Sequence, residues 1–142
     1  MKTIQRLLKQ KGSQVWTIGP EARVITALGL MAEKQIGALL VIDLSGPIGV
    51  ISERDYARSV ALKGKTSRAT PVRAIMASPV VRVSPDQTVQ EALGLMTDRH
   101  VRHLPVMDGD RLLGLVSIGD LVKSIIDEQQ FMIEELEGYI NP

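Results

Sequence analysis

The sequence predicts a mixed α/β (α+β) fold in which one β-α-β-β-α unit occurs twice. Three observations carry this. Displaced by 65 residues, the chain matches itself without a gap. Within each copy, apolar residues switch between helical spacing and short continuous runs. Helix-start signatures recur at the same relative positions.

In the repeat, "PEARVITALGLMAEKQI" (20–36) falls on "PDQTVQEALGLMTDRHV" (85–101), and "LLVIDLSGPIGVISERD" falls on "LPVMDGDRLLGLVSIGD". Asp43 meets Asp108, Gly49 meets Gly114, Ser52 meets Ser117 and Asp55 meets Asp120. The copies span 15–60 and 80–126, joined by a linker at 61–79, with an N-terminal segment at 1–14 and a C-terminal helix at 127–142. A unit of this size buries a core poorly by itself. Two copies packed through their sheets about a pseudo-twofold axis would share one.

Each copy opens with an extended lead-in ("QVWTI"; "VVRVS"). In the second, Ser84-Pro85-Asp86-Gln87 reads as a helix start: a cap residue, Pro at the first helical position, an acid in the first turn and Gln at the third. Gly19-Pro20 is the weaker counterpart. Val24, Ala27, Leu28, Met31 and Val89, Ala92, Leu93, Met96 then follow helical spacing. "IGALLVID" and "VRHLPVMD" read as strands. After a turn, a second strand ends in Gly-x-x-Ser and a second helix begins at the Ser. Near-continuous apolar strands suit sheets covered by helices.

Aromatic residues make up 3% of the chain, so the core must be aliphatic and Met. The absence of Cys removes disulfides, thiolate metal sites and Cys nucleophiles, and fits a reducing compartment. A formal charge of +1 gives no pull towards nucleic acid or an acidic membrane. No stretch approaches the ~20 apolar residues of a bilayer span, and the N-terminus lacks an apolar signal region. These features describe a cytoplasmic protein. His100 and His103 read as hydrogen-bonded structural groups and Trp16 as a packing anchor. Lys63, Lys65, Arg68 and Arg73 read as a solvated surface. Ile126, Ile133 and Ile140 recur every seven residues, with Met132 and Leu136 beside them. This helix either packs on its own domain or makes a dimer contact.

Gly-x-x-Ser-x-x-Asp carries two meanings. Ser-x-x-Asp is a capping box, in which Ser accepts from a first-turn N–H and Asp reaches back. A helix N-terminus with a Ser hydroxyl also suits a phosphate. An Asp one turn in can accept both hydrogen bonds of a ribose diol, and Gly admits a close backbone or ligand. Glu53 and Asp55 lie two apart and point in different directions, which does not suit paired acid–base work.

The gapless pair of units, with "ALGLM", "HLPVMD", "GVISERD" and "GLVSIGD", resembles a tandem CBS-domain pair, or Bateman module. The resemblance covers Val15 to Asp127 and implies a regulatory protein rather than an enzyme. It implies two pseudo-symmetric clefts for adenine nucleotides: AMP, or NAD, ADP, ATP or S-adenosylmethionine. It also implies a homodimer and a separate regulated protein. In one cleft Ser117 and Asp120 would hold phosphate and ribose, Thr17, Ala22, Ala38 and Leu39 would frame the base, and Arg102 would reach the phosphates. In the other, Ser52 and Asp55 take the matching roles, with Arg82 and Gln87 at the base, Gly37 where Arg102 stood, and His103 and Arg54 as phosphate contacts. Arg82 and Gly37 depart from the expected pattern, so the clefts should differ, with tighter mononucleotide binding at Ser117/Asp120. The alternative is a dimerising interaction module with vestigial clefts.

Overall fold

In chain order the elements are α1 (Ile4–Lys11), β1 (Thr17–Ile18), α2 (Val24–Lys34), β2 (Ala38–Asp43), β3 (Gly46–Ser52), α3 (Glu53–Tyr56), α4 (Val89–Arg99), β4 (His103–Asp108), β5 (Arg111–Ser117) and α5 (Ile118–Ile140). The computed structural model describes residues 1–140; Asn141 and Pro142, the end of the expected C-terminal helix, lie outside the described residues. A π-helical turn (Ala57–Ala61) follows α3, and a 3-10 turn (Val72–Ala74) lies between the copies. The chain forms two units: residues 14–81, and residues 1–13 together with the chain from Arg82 onward.

The helical spacing read from the sequence is buried except at Leu28 and Leu93, which are half-buried. Helix α2 buries Val24, Ala27 and Met31, and α4 buries Val89, Ala92 and Met96. Both end on a left-handed residue, Gln35 (φ 56°) and His100 (φ 55°), a normal way to close a last turn. The His100 N–H bonds the Met96 carbonyl, so its backbone is a helix cap.

In the 14–81 unit the strand order is β1-β2-β3, with β1 parallel and β3 antiparallel to β2. In the other unit β4 and β5 pair antiparallel. The hairpins share a register: Ala38 faces Ser52 as His103 faces Ser117, and the ladder shifts at Val41/Ile42 as at Val106/Met107. The second lead-in is shorter than expected, a single parallel bridge from Val83 to Val106. Pro85 has no N–H, and the Ser84 N–H is taken by Gln87 Oε1.

The core of the 14–81 unit is Val24, Ala27, Met31, Leu39, Val41, Ile51, Val60, Val72 and Ile75. It is aliphatic and Met throughout, as 3% aromatic content requires. Trp16 packs against it from the rim, with Lys34 Nζ 4.3 Å from its ring centre.

The expected helix start at Ser84-Pro85 is corrected. Ser84 to Gln87 is a turn, and α4 begins at Val89 behind Thr88, whose capping box with Glu91 is complete. The first copy has no side-chain cap at Arg23. The cause lies outside the repeats. The Val24 and Ile25 amides donate to the Thr70 and Ser67 carbonyls, and the Val89 amide to the Lys2 carbonyl. In return Val72 and Arg73 donate to Ala22 and Pro20, as Ile4 and Gln5 donate to Gln87 and Pro85. The linker thus completes the first unit as α1 completes the second.

This equivalence explains the motif glycines. A Cβ on Gly49 would lie 2.8 Å from the Ala77 carbonyl oxygen and 2.8 Å from Met76 Sδ. One on Gly114 would lie 2.8 Å from Leu8 Cδ2. The close neighbour that each glycine admits is the completing segment. Gly49→Ala should therefore destabilise by about 1–3 kcal/mol, an overpacking cost, because it strikes the carbonyl that pairs with the Val50 amide. Gly114→Ala meets only a flexible side-chain tip and should cost less. Urea unfolding of the two variants checks the order.

Candidate functional site

The two Ser-x-x-Asp segments fold alike because the β-hairpin ahead of each delivers Ser in extended conformation to a helix start. At the first, Ser52 (φ −129°, ψ 163°) caps α3. Its N–H donates to Asp55 Oδ2 at 2.8 Å, and its Oγ accepts from the Asp55 N–H at 3.2 Å. At the second, the Ser117 N–H donates to Asp120 Oδ2 at 2.8 Å, and Ser117 Oγ accepts from the Asp120 N–H at 3.1 Å. Both are capping boxes.

One further donor at each start is matched. The Glu53 amide bonds the Gly37 carbonyl at 3.0 Å, and the Ile118 amide bonds the Arg102 carbonyl at 2.9 Å. Within the 14–81 unit this gathers Gly37, Ala38, Ser52, Arg54 and Asp55 at one end of the β2–β3 hairpin. Leu39 is buried one residue further along β2, while Thr17 on β1 is exposed and Ala22 lies half-buried ahead of α2. In the other unit Arg102, His103, Ser117 and Asp120 meet at the matching end of β4–β5. Gln87 is held by the Ser84 amide, and exposed Arg82 donates to the Gly109 carbonyl at 3.3 Å.

The sites differ at one residue that the sequence did not single out. Lys11, in the last turn of α1, places Nζ 2.7 Å from Asp120 Oδ2 and 2.8 Å from the Leu115 carbonyl oxygen. Burial alone would raise the Asp120 carboxyl; the hydrogen bond and charge of Lys11 and the bonds from Ser117 outweigh it and hold the group below the ordinary carboxylate range. Leu8 and Met76 occupy equivalent places against the motif glycines, 68 residues apart, but α1 stays helical to Lys11 whereas the chain after Met76 is extended, with Ala77 paired to Val50, so the correspondence ends before Lys11. Nothing in the 65-residue alignment could have revealed this, because the completing segments obey a different offset.

The CBS-domain profile matches residues 12–62 and 72–127. The chain belongs to the CBS-domain family. Among solved structures, a CBS-domain protein from Burkholderia ambifaria MC40-6 is 47% identical, covering 90% of this chain and 96% of that one, with a TM-score of 0.84. The mitochondrial CBS domain-containing protein CBSX3 of Arabidopsis thaliana is 34% identical over 97% of this chain and 71% of its own. A hexameric CBS-CP12 protein from bloom-forming cyanobacteria is 30% identical, covering 86% of this chain and 70% of that one, with a TM-score of 0.77. The mixed α+β fold with two CBS repeats is thus the family's, and no helix among the described residues is long and apolar enough to cross a membrane.

The Lys11–Asp120 pair has a pH signature. Its depressed carboxyl contributes stability that is fully present above the unfolded-state value and is lost as pH falls through the lower folded value. Both side chains are about a third exposed. Lys11→Met should therefore cost less than about 1 kcal/mol at neutral pH. Thermal unfolding of the two proteins should converge as Asp120 protonates in acid.

Proposed function

We propose that this CBS pair is a regulatory module that binds adenine nucleotides at its two Ser-x-x-Asp helix starts and carries out no chemistry of its own. The observation that carries the reading is the duplicated hairpin-to-helix junction. Each junction sets a Ser hydroxyl, a helix N-terminus and a carboxylate within one turn, the groups that phosphate and a ribose diol require. The local capping boxes do not oppose it. In each box the Ser N–H and Asp N–H bonds land on Oδ2 and on Ser Oγ, so the second carboxylate oxygen lies outside them. Arg102, His103 and Arg54 bring positive or protonatable groups to the same ends of the hairpins. Nucleotide binding would be read out by a separate protein, through different affinity for two arrangements of the pair.

A second reading concerns assembly, and helix α5 favours it. From Gln129 to Ile140 every residue is exposed, including Phe131 at 61%, Leu136 at 63% and Ile140 at 75%. A helix of this length with no packed face is marginal in water, and an apolar stripe rimmed by charge marks an interface. Beyond Lys123 its charged residues are all acidic, whereas the exposed face of α1 carries Arg6 and Lys9. A second copy of the chain supplies both the apolar stripe and the complementary charge. The hexameric CBS-CP12 relative assembles as well.

Isothermal titration of nucleotide-stripped protein with AMP, ATP, NAD and S-adenosylmethionine should show saturable binding. Asp55→Ala and Asp120→Ala should each remove one site and leave the fold intact. Absence of binding by all four ligands would leave Ser-x-x-Asp as capping boxes alone. Independently, Ile133→Asp with Leu136→Asp should turn a dimer into a folded monomer by light scattering. A wild-type monomer at high concentration would contradict the assembly reading.

A further inference from the structure

We infer that Lys11 is a specificity-determining residue that locks the Asp120 site and leaves the Asp55 site open, so that a ligand at Asp120 must displace an ammonium group. The inference rests on the reading of Asp120 as a ribose acceptor. It adds a competitor that comes from outside the repeat.

Three observations support it. The Lys11 contact is built rather than incidental: Nζ bridges the Asp120 carboxylate at 2.7 Å and the Leu115 carbonyl at 2.8 Å. Its backbone is anchored, because α1 buries Ile4, Leu7 and Leu8 and closes on Gly12 at φ 97°. The backbone carrying Lys11 is therefore fixed, and what the contact costs is the rotamer freedom of the Lys side chain; α1 holds its place without it. The third observation is asymmetry. At Asp55 the carboxylate accepts from the Ser52 N–H and hydroxyl, and the segment completing that unit runs past Gly49 as extended chain rather than as a helix ending in Lys.

The ammonium and a ribose diol want the same acceptor. A diol that takes both carboxylate oxygens must move Lys11 off Oδ2, replacing a bond charged at both ends with bonds from neutral hydroxyls. A neutral ribonucleoside gains nothing from the released cation. A phosphorylated ligand can recover part of the loss, because the freed ammonium then stands beside the site that holds phosphate. Lys11 thus selects for charge on the ligand: the Asp120 site discriminates against adenosine relative to AMP or ATP more than the Asp55 site does.

The test is titration with adenosine, AMP and ATP in an Asp55→Ala background, which isolates the Asp120 site. Lys11→Met removes the charge, and Lys11→Gln keeps a donor for the Leu115 carbonyl. Both variants should bind adenosine roughly three- to fivefold tighter, the worth of a partly exposed ion pair, and should narrow the preference for ATP. Salt gives a second readout. Between about 0.01 M and 1 M the Debye length falls from about 30 Å to 3 Å, so adenosine should bind the Lys11 protein more tightly as salt rises and the variants with no such gain. Adenosine affinity that is unchanged or weaker in both variants overturns the inference. If Asp120→Ala then still abolishes binding, the nucleotide reading stands without it. If no adenosine binds in any variant while AMP or ATP does, the inference alone falls; if Asp120→Ala leaves AMP and ATP binding unaltered, or neither binds in any variant, both fall.

Discussion

Each repeat is finished by chain that lies outside it. The amides that open α2 and α4 have no intrahelical acceptor. They are met by carbonyls of Ser67 and Thr70 in one unit and of Lys2 in the other. The same segments press Met76 and Leu8 against the motif glycines and supply Val72, Ile75, Ile4 and Leu7 as buried residues. A copy of some 45 residues cannot bury enough surface alone. Helix α1 and the linker are therefore structural parts of the units they close.

That constraint has a functional consequence. Duplication copies the hairpin, the Ser, the Asp and the register between them, so both sites inherit the same capping geometry and the same bond from the first helical amide to Gly37 or Arg102. The completing segments are not copies of each other. One is an amphipathic helix ending in Lys11; the other is a turn followed by extended chain. Within the repeat the sites differ where Gly37 stands opposite Arg102 and Ala38 opposite His103; the completing segments add a further difference, because Lys11 rests on Asp120.

Much of this was legible in the sequence, for identifiable reasons. The 65-residue offset located both hairpins, and it recurs in their pairing because a one-residue slip would turn every side chain to the other face. The stripe Val24, Ala27, Met31 and its copy gave the buried helix faces. Ser52/Asp55 and Ser117/Asp120 were legible as helix starts because a capping box is a local device. Ser84-Pro85 misled for the opposite reason. It carries every local sign of a helix start, and Gln87 does reach back to Ser84, but the lead of α1 pairs with this segment and moves the helix to Val89. Lys11 was invisible because its partner is more than a hundred residues away and no periodicity joins them. The exposed apolar stripe of α5 was legible as a pattern, whereas the exposure of every residue from Gln129 to Ile140 was not.

The account turns on whether a ribose occupies Asp120. The most direct measurement is a crystal structure of the protein grown with saturating ATP. The account predicts density for a ribose diol on the Asp120 carboxylate, with Lys11 turned away from it and towards phosphate. A structure in which Lys11 still holds Asp120, with ATP absent or bound elsewhere, would contradict it.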